Sequence, residues 1–270
     1  MVKKLIRHDI RAFARTMLPA EIIVVALGLF CRFIQFFESR TTAYEIAQFS
    51  AVGAFVIAIL AALFMAFFTG VSRFYKNLFT NEGYLSMTLP VTPAQHILSK
   101  TVVSLLYTAL TCLVILLSVS LASMGELLFE SVKAGNYLIG KLVSLVGGTN
   151  FAFWIVEGIL LLCVYTVNTY LLWYACLSIG QRAKKNRALA GVGVYFAYYF
   201  IRQIFGTFLV IMFTVFAQTE LFRSIGYYLD RHPVFTIHTF LIGFTVIYVL
   251  FSLLYFAIAN RMLSKKLNLE

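Results

Sequence analysis

Residues 73–100 read RFYKNLFTNEGYLSMTLPVTPAQHILSK, a polar stretch, basic at its start and punctuated by Gly83, Pro90 and Pro93, set between two long apolar segments. That setting marks it as the main loop of a membrane protein, and its internal patterning marks it as ordered. Val71, Phe74, Tyr75, Leu78 and Phe79 recur at i, i+3, i+4, i+7 and i+8, which places them on one face of a short helix, while Arg73, Lys76, Asn77, Thr80, Asn81 and Glu82 take the other. Gly83 is placed to end that helix in the left-handed conformation, with Tyr84 folding back on the last turn. A new helix is predicted to start at Thr92-Pro93-Ala94-Gln95, with Thr92 as N-cap, Pro93 as first helical residue and Gln95 completing a capping box. A short surface helix followed by an extended return is a shape on which something docks.

The apolar flanks agree with the whole composition. The chain has 270 residues, 61% of them hydrophobic and 12% charged, with mean hydropathy +0.89; a soluble domain carries about 25% charged residues. These values predict an all-α integral membrane protein forming one transmembrane domain over residues 1–270. Long apolar runs with only 4 prolines fit helices, whereas the strands of a barrel alternate over about 10 residues. No cleavable signal peptide is expected, since the first apolar run comes late and no small-residue cleavage site follows it. Cys31, Cys112, Cys163 and Cys176 all fall within apolar runs at spacings that suit neither a metal site nor a disulfide framework, and read as small packing residues.

Residues 2–17 put Val2, Leu5, Ile6, Ile10, Phe13 and Met17 on one helical face and Lys3, Lys4, Arg7, Arg11 and Arg15 around the other. This predicts an amphipathic interfacial helix on an anionic leaflet of the lipid bilayer. Pro19 then opens the first of six predicted spans, with Glu21 in its first turn. The spans are residues 19–37, 48–70, 97–123, 151–179, 188–217 and 234–259, each near the roughly 20 residues a crossing needs. The fifth is interrupted by Arg202-Gln203, and residues 206–230 can alternatively dip into the membrane and return. Loops after the odd-numbered spans hold five basic residues, Arg40, Lys133, Lys141, Arg223 and Arg231, against fifteen on the other side. The positive-inside rule therefore places both termini in the cytoplasm. The net charge of +11 is a topology signal rather than a sign of nucleic-acid binding.

The chain carries no G-x-x-x-x-G-K-[ST] phosphate loop, H-E-x-x-H or G-x-S-x-G, and His8, His96, His232 and His238 are scattered. No catalytic or metal-ligating residue is expected. Three charges within predicted spans stand out: Arg32, Glu157 and Arg202. An ionisable group in hydrocarbon costs several kcal/mol unless paired or wet. Glu157 is therefore expected to pair with Arg202 or Arg32, or the arginines to line a pathway for an anionic or zwitterionic cargo; the alternative is that each snorkels to the interface. The cluster Tyr195, Phe196, Tyr198, Tyr199 and Phe200 reads as helix packing or interface anchoring.

Taken together, the basic N-terminal helix, the six spans and the folded loop resemble the permease subunit of a bacterial type-2 ABC exporter, with the closest local likeness in NLFTNEGYLSMTLPVTPAQHILSK, residues 77–100. The resemblance implies a connecting helix at 2–17 and a cytoplasmic coupling helix near 72–83 seated on a separate ABC ATPase subunit that binds ATP and Mg. It also implies a membrane dimer with a second copy or a related permease, and location in the bacterial cytoplasmic membrane. On that reading Phe74, Leu78 and Phe79 form the docking face, with Arg73, Lys76, Asn77, Glu82 and Gly83 completing the coupling segment. The rival readings are a secondary transporter or channel, which needs broken helices and converging polar groups at mid-membrane, and a non-transporting membrane scaffold or sensor.

Overall fold

The computed structural model describes residues 2–37, 41–80, 83, 90–123, 137, 140–141 and 148–265. Seven helices account for nearly all of them: α1 Val2–Gln35, α2 Thr42–Phe79, α3 Pro93–Ala122, α4 Gly148–Gly180, α5 Arg187–Phe216, α6 Glu220–Arg231 and α7 Pro233–Lys265. All but α6 are long and apolar enough to cross a membrane, and no strand occurs among the described residues. The chain thus has the architecture of an all-α, multi-pass membrane protein. Each predicted span lies on one of the six long helices.

Two predicted boundaries are absent. α1 runs through Pro19 as a single 34-residue helix, so residues 2–17 and the first span are one rod. Proline removes one backbone hydrogen bond, a loss a helix packed in a membrane protein tolerates. α2 likewise continues for 38 residues without a stop until Phe79, so the short helix predicted after residue 70 is the end of the second span. At 1.5 Å per residue these rods measure about 51 and 57 Å, against about 30 Å of hydrocarbon. Residues 2–17 and 71–79 are therefore continuous with the apolar helices they adjoin.

The described chain divides into two compact units, one of α1, α2 up to Lys76 and α3, the other of the final residues of α2 with α4, α5, α6 and α7. In the first, α1 and α3 run parallel. Asp9 meets Ser99 and Glu21 meets Thr111, while a Cβ on Gly28 would lie 2.8 Å from the Ser118 carbonyl oxygen; all three pairs are separated by 90 positions. α2 is antiparallel to them. Arg73 reaches Ala12, Thr69 reaches Met17, and Phe55 lies beside Gly28, so numbers fall on α2 as they rise on α1. Val24, Cys31, Ala51, Phe55, Ala62 and Ala122 form one apolar cluster of this unit, and Phe13, Met17, Ala66, Val103 and Tyr107 a second.

In the second unit α4 and α7 run parallel, marked by Glu157 with His238, Tyr165 with Tyr248 and Asn168 with Ser252. α5 folds back on α4 through the turn at Gln181–Asn186, where Asn186 takes the left-handed conformation with φ 51°, a geometry asparagine accepts more readily than most residues. The hairpin closes on two glycines: a Cβ on Gly180 would fall 2.3 Å from the Gly191 nitrogen. Beyond this crossing Trp173 stacks on Tyr195 at 4.1 Å. α5 continues unbroken through Arg202 and Gly206 to Phe216, so the helix has no break at residue 206 and the chain turns instead at residues 217–219. The short α6 follows, its Phe222 packed against Phe213 and Phe216 at 5.5 and 6.3 Å.

Candidate functional site

The segment expected to bind a partner is the last two turns of α2 with the start of α3. Its apolar and polar faces fall where the periodicity put them: Val71, Phe74, Leu78 and Phe79 are buried, Arg73 and Asn77 half-buried and Lys76 exposed. Phe74 and Leu78 are each 0% exposed, so the face expected to seat on a partner is already covered within the chain. What this stretch offers outward is Lys76, with Tyr75, Asn77 and Thr80 partly accessible. The Gly83 amide donates to the Thr80 carbonyl at 2.7 Å, turning the chain after the helix; Glu82 lies outside the described residues. The capping box at α3 is present as predicted: the Gln95 amide donates to Thr92 Oγ1 at 3.4 Å and the Thr92 amide to Gln95 Oε1 at 3.1 Å.

Below that cap, three helices of the first unit are joined by charge. Asp9 on α1, 3% exposed, accepts from the Lys100 ammonium and from Ser99 Oγ at 2.9 Å, both on α3. From α2, the Arg73 guanidinium donates to the Ala12 carbonyl and reaches Thr16 Oγ1 at 3.5 Å, with Phe13 beneath it at 5.8 Å. Tyr107 stacks on Phe13 at 4.5 Å and donates its hydroxyl to the Ile10 carbonyl at 2.9 Å. The effect is to fix the end of α2, through Arg73, to α1, and α1 to the first two turns of α3. Sequence reasoning missed Asp9 and Lys100. A signal existed, since Asp9 is the one acid in residues 2–17 and sits four positions before Phe13 on the apolar face.

The intramembrane charges are placed differently from expectation. Glu157 pairs with His238 of α7 rather than with an arginine: His238 Nδ1 lies 2.8 Å from both carboxylate oxygens, with the two side chains 22% and 20% exposed. Glu157 sits in the third turn of α4 and His238 in the second turn of α7, so the pair lies near one end of the α4–α7 contact, with Trp154 5.9 Å from the imidazole. Arg202 is exposed on α5, and Arg32 is half-buried in the last turn of α1. The aromatic cluster on α5 divides, Tyr195 and Tyr198 turning to Trp173 and Tyr255 and Phe196, Tyr199 and Phe200 staying exposed. Midway along α4, the Asn168 amide donates to the Tyr248 carbonyl and Ser252 Oγ, both at 3.1 Å. No group of side chains among the described residues is arranged to hold a metal ion.

Comparison with protein-family models, with curated proteins and with solved structures finds no match to this chain. The site has to be read from its own chemistry.

Proposed function

We propose that this chain is the membrane-spanning subunit of an ATP-driven type-2 ABC exporter of the bacterial cytoplasmic membrane, working as a dimer with separate ATPase subunits. The observation that supports the reading best is the unbroken α2. It leaves its apolar stretch as a stiff rod, carries Lys76 outward beyond it, and is tied through Arg73 to α1, which Asp9 in turn ties to α3. A push on α2 at Lys76 is delivered to three spans at once, which is the mechanical requirement for a motor outside the membrane to reorganise helices within it. Both termini and the Arg73–Lys100 segment face the cytoplasm on this reading, in line with the fifteen-to-five distribution of basic residues. Coupling then runs through the backbone, the exposed Lys76 and the half-buried Tyr75 and Asn77, with Phe74, Leu78 and Phe79 setting the rod's position from within.

The test is reconstitution. The purified chain should form a complex with a phosphate-loop ATPase of about 200–300 residues, the size of one such domain, and the complex should hydrolyse ATP faster than the ATPase alone. A well-folded chain that joins no ATPase encoded in its source sinks the reading. A proton-coupled secondary transporter is the second reading, and the Glu157–His238 pair favours it, because a carboxylate and an imidazole sharing a hydrogen bond within spans is suited to carrying protons. Uptake or extrusion driven by a pH gradient in vesicles of this chain alone would decide for it.

A further inference from the structure

Glu21 is the second buried carboxylate of the first unit, and it is paired very differently from Asp9. It is 5% exposed and accepts a hydrogen bond from Thr111 Oγ1 at 3.1 Å through Oε1. Among the described residues it makes no ion pair, and Oε2 has no protein partner. The same residue lines a groove of about 420 Å³ whose other walls are Leu18, Ile22, Val25, Ala26 and Leu29 of α1 and Val114 of α3. Leu18, Ile22 and Leu29 are each about half exposed or more, and Ala26 is the smallest residue of the wall, so the groove is apolar and open at its side. From Glu21 to Leu29 it follows α1 for about 12 Å. Since Glu21 is two residues inside the apolar stretch that opens at Pro19, its carboxylate stands at the headgroup end and the groove runs from there into hydrocarbon.

We propose that this groove binds an amphiphilic organic ammonium from the bilayer, the ammonium against Glu21 and the apolar body along Ile22, Val25, Ala26 and Leu29. The carboxylate selects the head: a buried anion without a cation is costly, and an ammonium supplies the missing charge and a donor to Oε2. An anionic amphiphile is repelled there, and a neutral chain leaves the charge uncompensated. The walls select the body. Arg15, exposed and about 9 Å up the helix, weakens the hold on any cation, so the apolar tail must supply most of the affinity and the charge most of the selectivity. The groove belongs to this chain alone and its test needs no ATPase, so it stands or falls separately from the exporter reading.

The experiment is equilibrium binding of radiolabelled dodecylammonium, a primary ammonium with N–H donors, to the full chain in phosphatidylcholine nanodiscs, with binding to empty discs subtracted. The expected result is saturable binding that Glu21→Gln weakens by about tenfold or more, the worth of one charge-assisted contact. Dodecanol, dodecyl sulfate and tetramethylammonium should each compete much more weakly than the labelled probe. Ala26→Phe, at an exposed position that leaves Glu21 intact, should fill the groove and lower affinity with the melting temperature unchanged; it keeps the proposal testable if Glu21→Gln does not fold. Equal binding by the folded Glu21→Gln protein, equal affinity in Ala26→Phe, or equal competition by dodecanol would overturn the proposal. So would binding no greater than in empty discs, including the case in which Ala26→Cys cross-links two copies and a second chain occupies the groove.

Discussion

In the first unit the parallel helices α1 and α3 meet through charged and hydroxyl groups: Asp9 with Ser99 and Lys100, Ile10 with Tyr107, Glu21 with Thr111. In the second, the parallel helices α4 and α7 meet through a partly accessible acid–imidazole pair at one end, an asparagine midway and aromatic contacts between. The two pairs share a direction and differ in where the charge is hidden. Asp9 and Lys100 are each about 4–5% exposed, so neither can relax to water, whereas Glu157 and His238 keep about a fifth of their surface. The first contact is therefore brittle to single substitutions and the second tolerant, and the glycine crossing at Gly180 and Gly191 provides in the second unit the rigidity that the ionic cluster provides in the first.

The sharpest way to break this contrast is Lys100→Met, which leaves Asp9 buried without its cation. It should cost about 3–5 kcal/mol in thermal unfolding in detergent, most of it recovered when Asp9→Leu is added; a single substitution as mild as the double would show that the cluster is not brittle. Gly180→Ala comes next. Its methyl would lie 2.3 and 2.4 Å from the backbone of Gly191, so α4 and α5 must part, at about 1–3 kcal/mol. Gly193→Ala, with nothing within 4 Å, should leave the melting temperature unchanged, and equal losses at both positions would remove the close crossing from the account. Asn168→Leu should cost about 1 kcal/mol, the usual scale of a hydrogen bond between membrane helices, read by the same unfolding measurement. Glu157→Gln, which preserves a hydrogen-bonding group opposite His238, should cost less than about 1 kcal/mol; a loss rivalling that of Lys100→Met would invert the comparison.

What the sequence made legible was what depends on neighbours along the chain. Span number and rough span limits follow from apolar length, the α3 cap from Thr92-Pro93-Ala94-Gln95, and the two faces of residues 71–79 from periodicity. What it hid depends on partners 80 or more positions away. Glu157 invited an arginine because arginines are the obvious counter-ions within spans, yet parallel packing of α4 on α7 presents His238. Pro19 and the end of the second apolar run at residue 70 read as helix boundaries, and both are absorbed into continuous helices whose flanking residues pack on neighbouring helices. Phe74 and Leu78 looked free to meet a partner because periodicity reports that a face is apolar without reporting what covers it.

The exporter proposal requires a motor outside the membrane to grip α2 at Lys76, the exposed residue of its last turn. Its most direct test is cysteine cross-linking from Lys76→Cys in the assembled, ATP-hydrolysing complex, with Gly193→Cys on α5 as the comparison. An ATPase adduct is expected from position 76 and none from position 193, with the yield at 76 changing between the ATP-bound and nucleotide-free states. An active complex in which position 76 never cross-links to the ATPase would contradict it.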